Sequence, residues 1–437
     1  MLAEKKVSML NEKKTLEIMG IKIQYFAIIA MVMFVGAYMN VLPPGIVSVL
    51  PLMLVIGSVL YLIGDNLPIV KDYFGGGAIV VIFGSSALAT YKILPEGVVT
   101  SATTFMTSGG FLDLFICGLI AGSLLGINRK LLLQAVVRYL PCLLGGIIAA
   151  LGLVGLFGII LGYGAKEAIF YIGIPIMGGG MGAGAVPLAK IFGATLNQDP
   201  KIIMSIMTPA VALGNAFAIV AAGILNKIGK VKPSLTGNGE LIIPNSKTKL
   251  DAENEVEDKS NDLELYAIGI LLSGAFLTAG YIVGKFLPAI HAYAWMILIV
   301  ILVKMTGALP AKCEYACSVW YSFVMKNFTV VVLVGVGIAY TDLNAVISAL
   351  TFKYIILVGV TIIGAVIGSG VVARFVGFYP IETSLSAGLC MANMGGSGDV
   401  AVLTAAKRMK LMPFAAISSR LGGALILIIA SVLLRLF

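Results

Sequence analysis

Apolar stretches of roughly 20 residues recur along the whole chain. At 1.5 Å of helical rise per residue, ~20 residues is the length that crosses the ~30 Å hydrocarbon core of a bilayer. The stretches fall at approximately 20–40, 46–64, 76–94, 111–127, 139–163, 203–226, 264–284, 288–308, 318–340, 350–374 and 412–434. Only 12% of the 437 residues are charged, about half the ~25% of ordinary soluble domains, so the surface is not mainly water-facing. Inside lipid the backbone has to satisfy its own N–H and C=O groups, and apolar runs of this length do so as helices. The sequence therefore predicts an all-α polytopic membrane protein of about eleven transmembrane helices. The apolar runs continue to the end of the sequence instead of forming one short run before a cleavage site, so no removable leader is expected.

Charge sets the expected orientation. The net charge is +9, but the lysines sit in short loops beside apolar spans, where cytoplasmic retention of positive charge accounts for them and no nucleic-acid partner is expected. With Lys5, Lys6, Lys13, Lys14 and Lys22 inside, alternation places Lys71, Arg129, Lys130, Lys227 and Lys312 on the same side. The N-terminus is then cytoplasmic and the C-terminus outside. A polar segment at 227–263, with Gly229, Pro233, Gly237, Gly239 and Pro244 before the acidic Asp251, Glu253, Glu255, Glu257 and Asp258, reads as a cytoplasmic linker. It separates 46–226 from 264–437, with 1–45 an N-terminal segment and first span. Each half has five spans, and an odd number gives the second half inverted topology.

Two further apolar segments, 167–196 and 380–408, are broken by glycines and read as re-entrant hairpins, one before the last span of each half. The first contains Gly178, Gly179, Gly180, Met181, Gly182 and Gly184; the second contains Asn393, Met394, Gly395, Gly396, Ser397, Gly398 and Asp399. Each carries a Gly-Gly-x-Gly core. Glycines let a ligand approach backbone N–H groups closely, and the helix that starts after the break points its positive end at the same place, which suits an anion. A single such cluster is most simply a close helix contact, but paired breaks in matching positions of two halves mark a transporter's central binding site. Arg420, in Ile417-Ser418-Ser419-Arg420-Leu421-Gly422-Gly423, lies inside the last span, where an unpaired guanidinium is costly and a substrate carboxylate would supply a bidentate partner. The competing reading has it reach the membrane interface or pair with a protein acid such as Asp399. Asn393 and Ser397 offer neutral polar groups, and Asp399 has coupling and structural readings that the sequence does not separate. Lys326 and Asn327 are a second polar pair at membrane depth, with binding and structural readings equally open. Asp113 is expected at an interface. His291, Tyr293 and Trp295 read as an interfacial aromatic belt. Cys117, Cys142, Cys313, Cys317 and Cys390 read as reduced thiols, and with His291 the only histidine no zinc site is expected.

Met177 to Pro187 and Cys390 to Gly423, above all Met-Gly-Gly-Ser-Gly-Asp-Val-Ala-Val-Leu and Ile-Ser-Ser-Arg-Leu-Gly-Gly, closely resemble the bacterial 2-hydroxycarboxylate transporter family. The resemblance extends over the whole chain in linker position and hairpin order. It implies a homodimer in the cytoplasmic membrane that carries malate or citrate, with a transport domain moving against a scaffold. It also implies a substrate site of Gly179, Gly180, Met181, Gly182, Asn393, Gly395, Gly396, Ser397, Gly398 and Arg420. In sodium-coupled citrate symporters of the family, Asn stands at the position of Met181 and Arg at that of Met394. The two methionines here imply a less charged substrate than citrate and coupling by protons or by exchange, with sodium still possible and no cofactor. The expectation is a malate carrier, exchanging malate for lactate or taking it up with protons; citrate is the alternative. No nucleophile–base pair or phosphate-binding G-x-x-x-x-G-K-[ST] run supports an enzyme. Polar residues gathered at two hairpins and one Arg suit an occluded carrier site better than a channel.

Overall fold

Apolar runs become helices because each can then bond its own backbone, and their ends fall where a capping group or glycine stops the ladder. The computed structural model describes residues 17–73, 77–127, 129, 138–243, 263–288 and 291–436, with side chains at 71–73, 183, 396, 397 and 436 outside that description. The chain runs through α1 (Ile23–Tyr38), α2 (Ile46–Asn66), α3 (Gly77–Thr90), α4 (Glu96–Met106), α5 (Phe111–Leu125) and α6 (Leu140–Ile160) to a helix–break–helix segment at 165–196. It continues through α7 (Pro200–Val231), α8 (Glu264–Phe286), α9 (Ala292–Thr306), α10 (Ala311–Ala339), α11 (Leu343–Ala349) and α12 (Phe352–Val376). A second broken segment at 380–405 precedes α13 (Met409–Arg435). This is an all-α polytopic membrane protein. Among the described residues eight helices are long and apolar enough to cross a bilayer, with α4 and α5 taken as one.

Three of the expected spans are shorter than the sequence suggests: α1 has 16 residues, α3 has 14 and α9 has 15. The ends of α9 show why. Its first turn is capped by His291, whose Nδ1 accepts the Tyr293 N–H at 3.2 Å, and its last is stopped by Gly307 at φ 69°. Helix α4 is an addition that the apolar count passed over. Its Thr- and Ser-rich sequence buries only Val98, Ala102, Phe105 and Met106, one face at helical spacing. The outer surface is apolar: Leu271, Phe286 and Phe352 are 71%, 77% and 77% exposed, an arrangement stable against lipid and not against water. Burial inside the protein ranges from 22% of the apolar window of α8 to 78% of that of α7, which puts α8 at the periphery and α7 at the centre.

The helices pack as two groups. In one, α6 lies along α12, the broken segments and α7 gather around that pair, and α13 packs on the broken segments; in the other, α2, α3, α5 and α8 surround α10, and α9 lies against α5 and α8. Small residues allow the close approaches. A Cβ on Gly364 would stand 2.6 Å from the Ala150 Cα, and one on Gly368 would strike the Gly145 carbonyl. Gly118 and Gly122 of α5 and Gly126 at its C-terminal cap repeat every four residues and receive α10, with Trp320, Tyr321 and Ser318 lying against them. This seating fixes the rotation of α10 and hence which of its residues face inward.

Helix α7 runs on to Val231, so the polar region starts later than the sequence suggests, and the part of it at 232–243 packs down onto the second broken segment. The Tyr379 N–H donates to Leu241 O at 2.9 Å and the Ile243 N–H to Gly377 O at 3.1 Å. Glu382, completely buried, accepts from the Thr236 hydroxyl at 2.6 Å and from the Gly237 and Gly239 N–H groups at 3.0 and 3.1 Å, and pairs with Arg408 at 3.3 Å. One strap therefore ties the start of the segment, at Glu382, to its end, at Arg408. Residues 244–262, which hold the acidic run, lie outside the described residues.

Candidate substrate site

Each broken segment is a pair of short helices whose tip is set by glycine. In the first, the chain turns through Gly179 at φ 77° and Gly180 at φ 112° before the second arm begins at Met181. In the second, Gly395 at φ 78° precedes the arm Gly396–Ala405. These positive φ values are open to glycine and strained for other residues. The two tips meet: a Cβ on Gly180 would lie 2.8 Å from the carbonyl of Met394, and one on Gly395 would lie 3.3 Å from Gly179 O. The last span touches the same point, since a Cβ on Gly179 would stand 2.6 Å from Ser419 O. Two helix N-termini, whose first-turn N–H groups have no partner within the helix, thus arrive beside Arg420. Arg420 itself lies in a π-helical turn, Ser418–Gly422, and another such turn, Met181–Ala185, opens the second arm of the first segment. Local π-turns of this kind are concentrated at functional sites.

A cavity of ≈ 480 Å³ lies between the two helix groups. Gly179, Met181, Gly182, Met394, Gly395 and Arg420 face it from the hairpin side. Helix α10 contributes Tyr321, Lys326 and Thr329, and α5 contributes Phe115 and Ser123. The Arg420 guanidinium carbon is 5.1 Å from the centroid of the Tyr321 ring, a cation–π contact, and among the described residues Arg420 has no ion pair. The alternative pairing with Asp399 is not made. Asp399 instead accepts from the Ser419 hydroxyl at 2.9 and 3.1 Å and from the Asn393 amide at 2.9 Å.

Of the residues expected at the site, Gly179, Met181, Gly182, Gly395 and Arg420 share this cavity, whereas Gly180, Asn393, Gly398 and Asp399 are not among its lining. Asn393 is completely buried behind the tip, where its Oδ1 accepts the Gly395 N–H at 2.7 Å while its amide donates to Asp399. It shapes the tip from within. Gly398 packs against Asn215 and Asn393, and Gly180 is the crossing point of the tips. The Gly396 and Ser397 side-chain positions lie outside the described residues. Two participants went unrecognised in the sequence. Asn215, buried in α7, accepts the Met394 N–H at 3.1 Å and so holds the second tip to the central helix; an amide in the middle of an apolar span was the available signal. Tyr321 carried no signal, being one aromatic residue among many. Asp113 proves to hold Lys190 of the first segment at 2.5 Å and to accept the Tyr293 hydroxyl, which links the second arm of that segment to α5 and α9. Tyr293 is thus a buried partner of this cluster, and the half-buried His291 ring lies against it with centroids 4.8 Å apart. Among the described residues no group of three metal-ligating side chains occurs.

The family model of the 2-hydroxycarboxylate transporter family matches residues 18–432. The malate transporter MleP of Lactococcus lactis subsp. lactis is 36% identical over 436 residues, covering 98% of this chain and 100% of that protein. The citrate transporter CitP of Leuconostoc mesenteroides subsp. mesenteroides is 35% identical over 418 residues, covering 96% of this chain and 94% of that protein. The citrate/sodium symporter of Salmonella typhimurium is 36% identical over 429 residues, covering 95% of this chain and 94% of that protein. The match runs through both glycine tips, the cavity and the last span, and with it the chain belongs to the 2-hydroxycarboxylate transporter family, whose members are membrane transporters and not enzymes.

Proposed function

We propose that the chain carries malate across the cytoplasmic membrane, by exchange for lactate or together with protons. The observation that carries this reading is the pair Met181 and Met394, which face the cavity beside Arg420 and supply neither charge nor amide. Arg420 with its two parallel N–H donors suits the carboxylate next to a hydroxyl that malate, citrate and lactate have in common. A shared anchor of this kind lets unlike partners exchange through one site. Citrate, named for two of the three relatives above, is the second reading within the class, and sodium coupling accompanies it in the symporter.

The order of elements supports two inverted repeats: α2, α3, α5, α6, a broken segment and α7 are followed by α8, α9, α10, α12, a broken segment and α13. The distribution of lysines supports a cytoplasmic N-terminus and an outer C-terminus. In that orientation the cavity, which reaches Ser123 near the end of α5 and Ala78 near the start of α3, opens toward the cytoplasm. The lipid-facing periphery around α8 leaves room for a second copy, in keeping with a homodimer.

The test is uptake of labelled malate into proteoliposomes preloaded with lactate, compared with empty ones. Lactate inside is expected to stimulate uptake at least several-fold without added sodium. No stimulation, together with a strict sodium requirement, overturns the exchange reading; uptake of citrate in preference to malate overturns the substrate.

A further inference from the structure

Lysines at membrane depth need partners, because an unpaired charge near the bilayer centre costs roughly 2.5–3.5 kcal/mol on insertion scales. Lys304 has them: its ammonium lies 2.8 Å from Glu314 and donates to Leu125 O at 2.7 Å. Lys190 has one in Asp113. Lys326 has neither ion pair nor hydrogen bond among the described residues. It stands near the middle of the 29-residue α10, about 20 Å of helix from either end at 1.5 Å per residue, too far for its four-carbon stem to reach the membrane surface. Its side chain is exposed, and it lines the cavity that holds Arg420 and the two tips.

Tyr321, on which the Arg420 guanidinium rests, precedes Lys326 by five residues on the same helix, a rise of about 7.5 Å. Arg420 and Lys326, neither of them in an ion pair among the described residues, therefore line one largely apolar chamber, Arg420 from the hairpin side and Lys326 from α10. No carboxylate of the chain lines the chamber among the described residues.

We infer that Lys326 is a second carboxylate ligand of this site. Arg420 holds the carboxylate beside the hydroxyl, and Lys326 holds a carboxylate at the far end of the molecule. The pair makes the site select dicarboxylates over monocarboxylates, since an acid with one carboxylate engages Arg420 alone. The inference rests on the 2-hydroxycarboxylate reading above and names the residue that sets preference within it. Because Lys326 belongs to the helix group opposite the hairpins, its contact with substrate joins the two groups across the cavity.

The measurement is the concentration of unlabelled malate, and of lactate, that halves counterflow of labelled malate in proteoliposomes. Lys326→Met is expected to raise the malate-to-lactate ratio of these values about tenfold, the loss of one charge-assisted contact. Lys326→Arg is expected to bring the ratio back to near the wild-type value, and Arg420→Lys to weaken both acids together. If Lys326→Met does not insert, Lys326→Gln gives the same reading. A ratio unchanged when the charge is removed, or a rise that arginine does not reverse, overturns the inference while leaving the substrate reading in place. Wild-type protein that takes up neither acid overturns the substrate reading itself.

Discussion

At the scale of single residues, the site depends on side chains that are absent as much as on those present. Gly180 combines φ 112° with a neighbouring backbone 2.8 Å from where its Cβ would be, so two independent constraints exclude any other residue. Adopting that conformation costs about 1–3 kcal/mol for a residue with a Cβ, before the clash with Met394 is counted. Gly180→Ala is accordingly expected to separate the tips and weaken uptake of the 2-hydroxycarboxylate substrate by tenfold or more, with membrane insertion retained; near-normal uptake kinetics would show that the tips need not touch. The glycines and Arg420 were legible in the sequence because their chemistry is distinctive wherever they lie: Gly permits positive φ, and a guanidinium inside an apolar span demands a partner. The role of Asn393 was not legible. Its amide suits a ligand or a backbone N–H equally, and only the fold of the tip directs it to Gly395 and Asp399.

At the scale of elements, the hairpins are held by unequal means. The first is tied by Lys190 to Asp113 across to α5, while the second is clasped at both ends by the strap at 232–243 through Glu382 and Arg408. Removing one partner of a buried pair leaves an uncompensated charge, worth about 3–5 kcal/mol. Glu382→Ala is therefore expected to lower the melting temperature of the detergent-solubilised protein clearly. Glu240→Ala, which breaks the exposed pair with Lys410 at 3.0 Å, is expected to change stability by less than about 1 kcal/mol. Equal effects of the two would refute the clasp. Composition reads 232–243 as a loose polar connection, because its bonds are made to residues more than 130 positions away and leave no local pattern. Helix α4 escaped notice for a related reason, since one buried face in a Thr-rich stretch does not raise mean hydropathy.

At the scale of the molecule, the proposed orientation makes a direct prediction. In a Cys313→Ser background, where the four remaining cysteines are buried, Ser108→Cys between α4 and α5 should react with an impermeant maleimide in intact cells. Lys232→Cys, after α7, should react only once the membrane is opened. Both positions are exposed. The reverse pattern would invert the topology and turn the cavity outward.

Hydrophobicity, glycine clusters and charge placement are properties of neighbouring residues, so the sequence by itself determined the membrane class, most of the helical segments, the two broken segments and the position of Arg420 inside the last span. Which residues share the cavity was decided only by tertiary structure. The seating of α10 on the glycines of α5 turns Tyr321 and Lys326 toward the tips, and the packing of α7 brings Asn215 under Met394. Those are distances between residues far apart in the chain, set by how two helix groups close on one another, and no stretch of sequence encodes them locally.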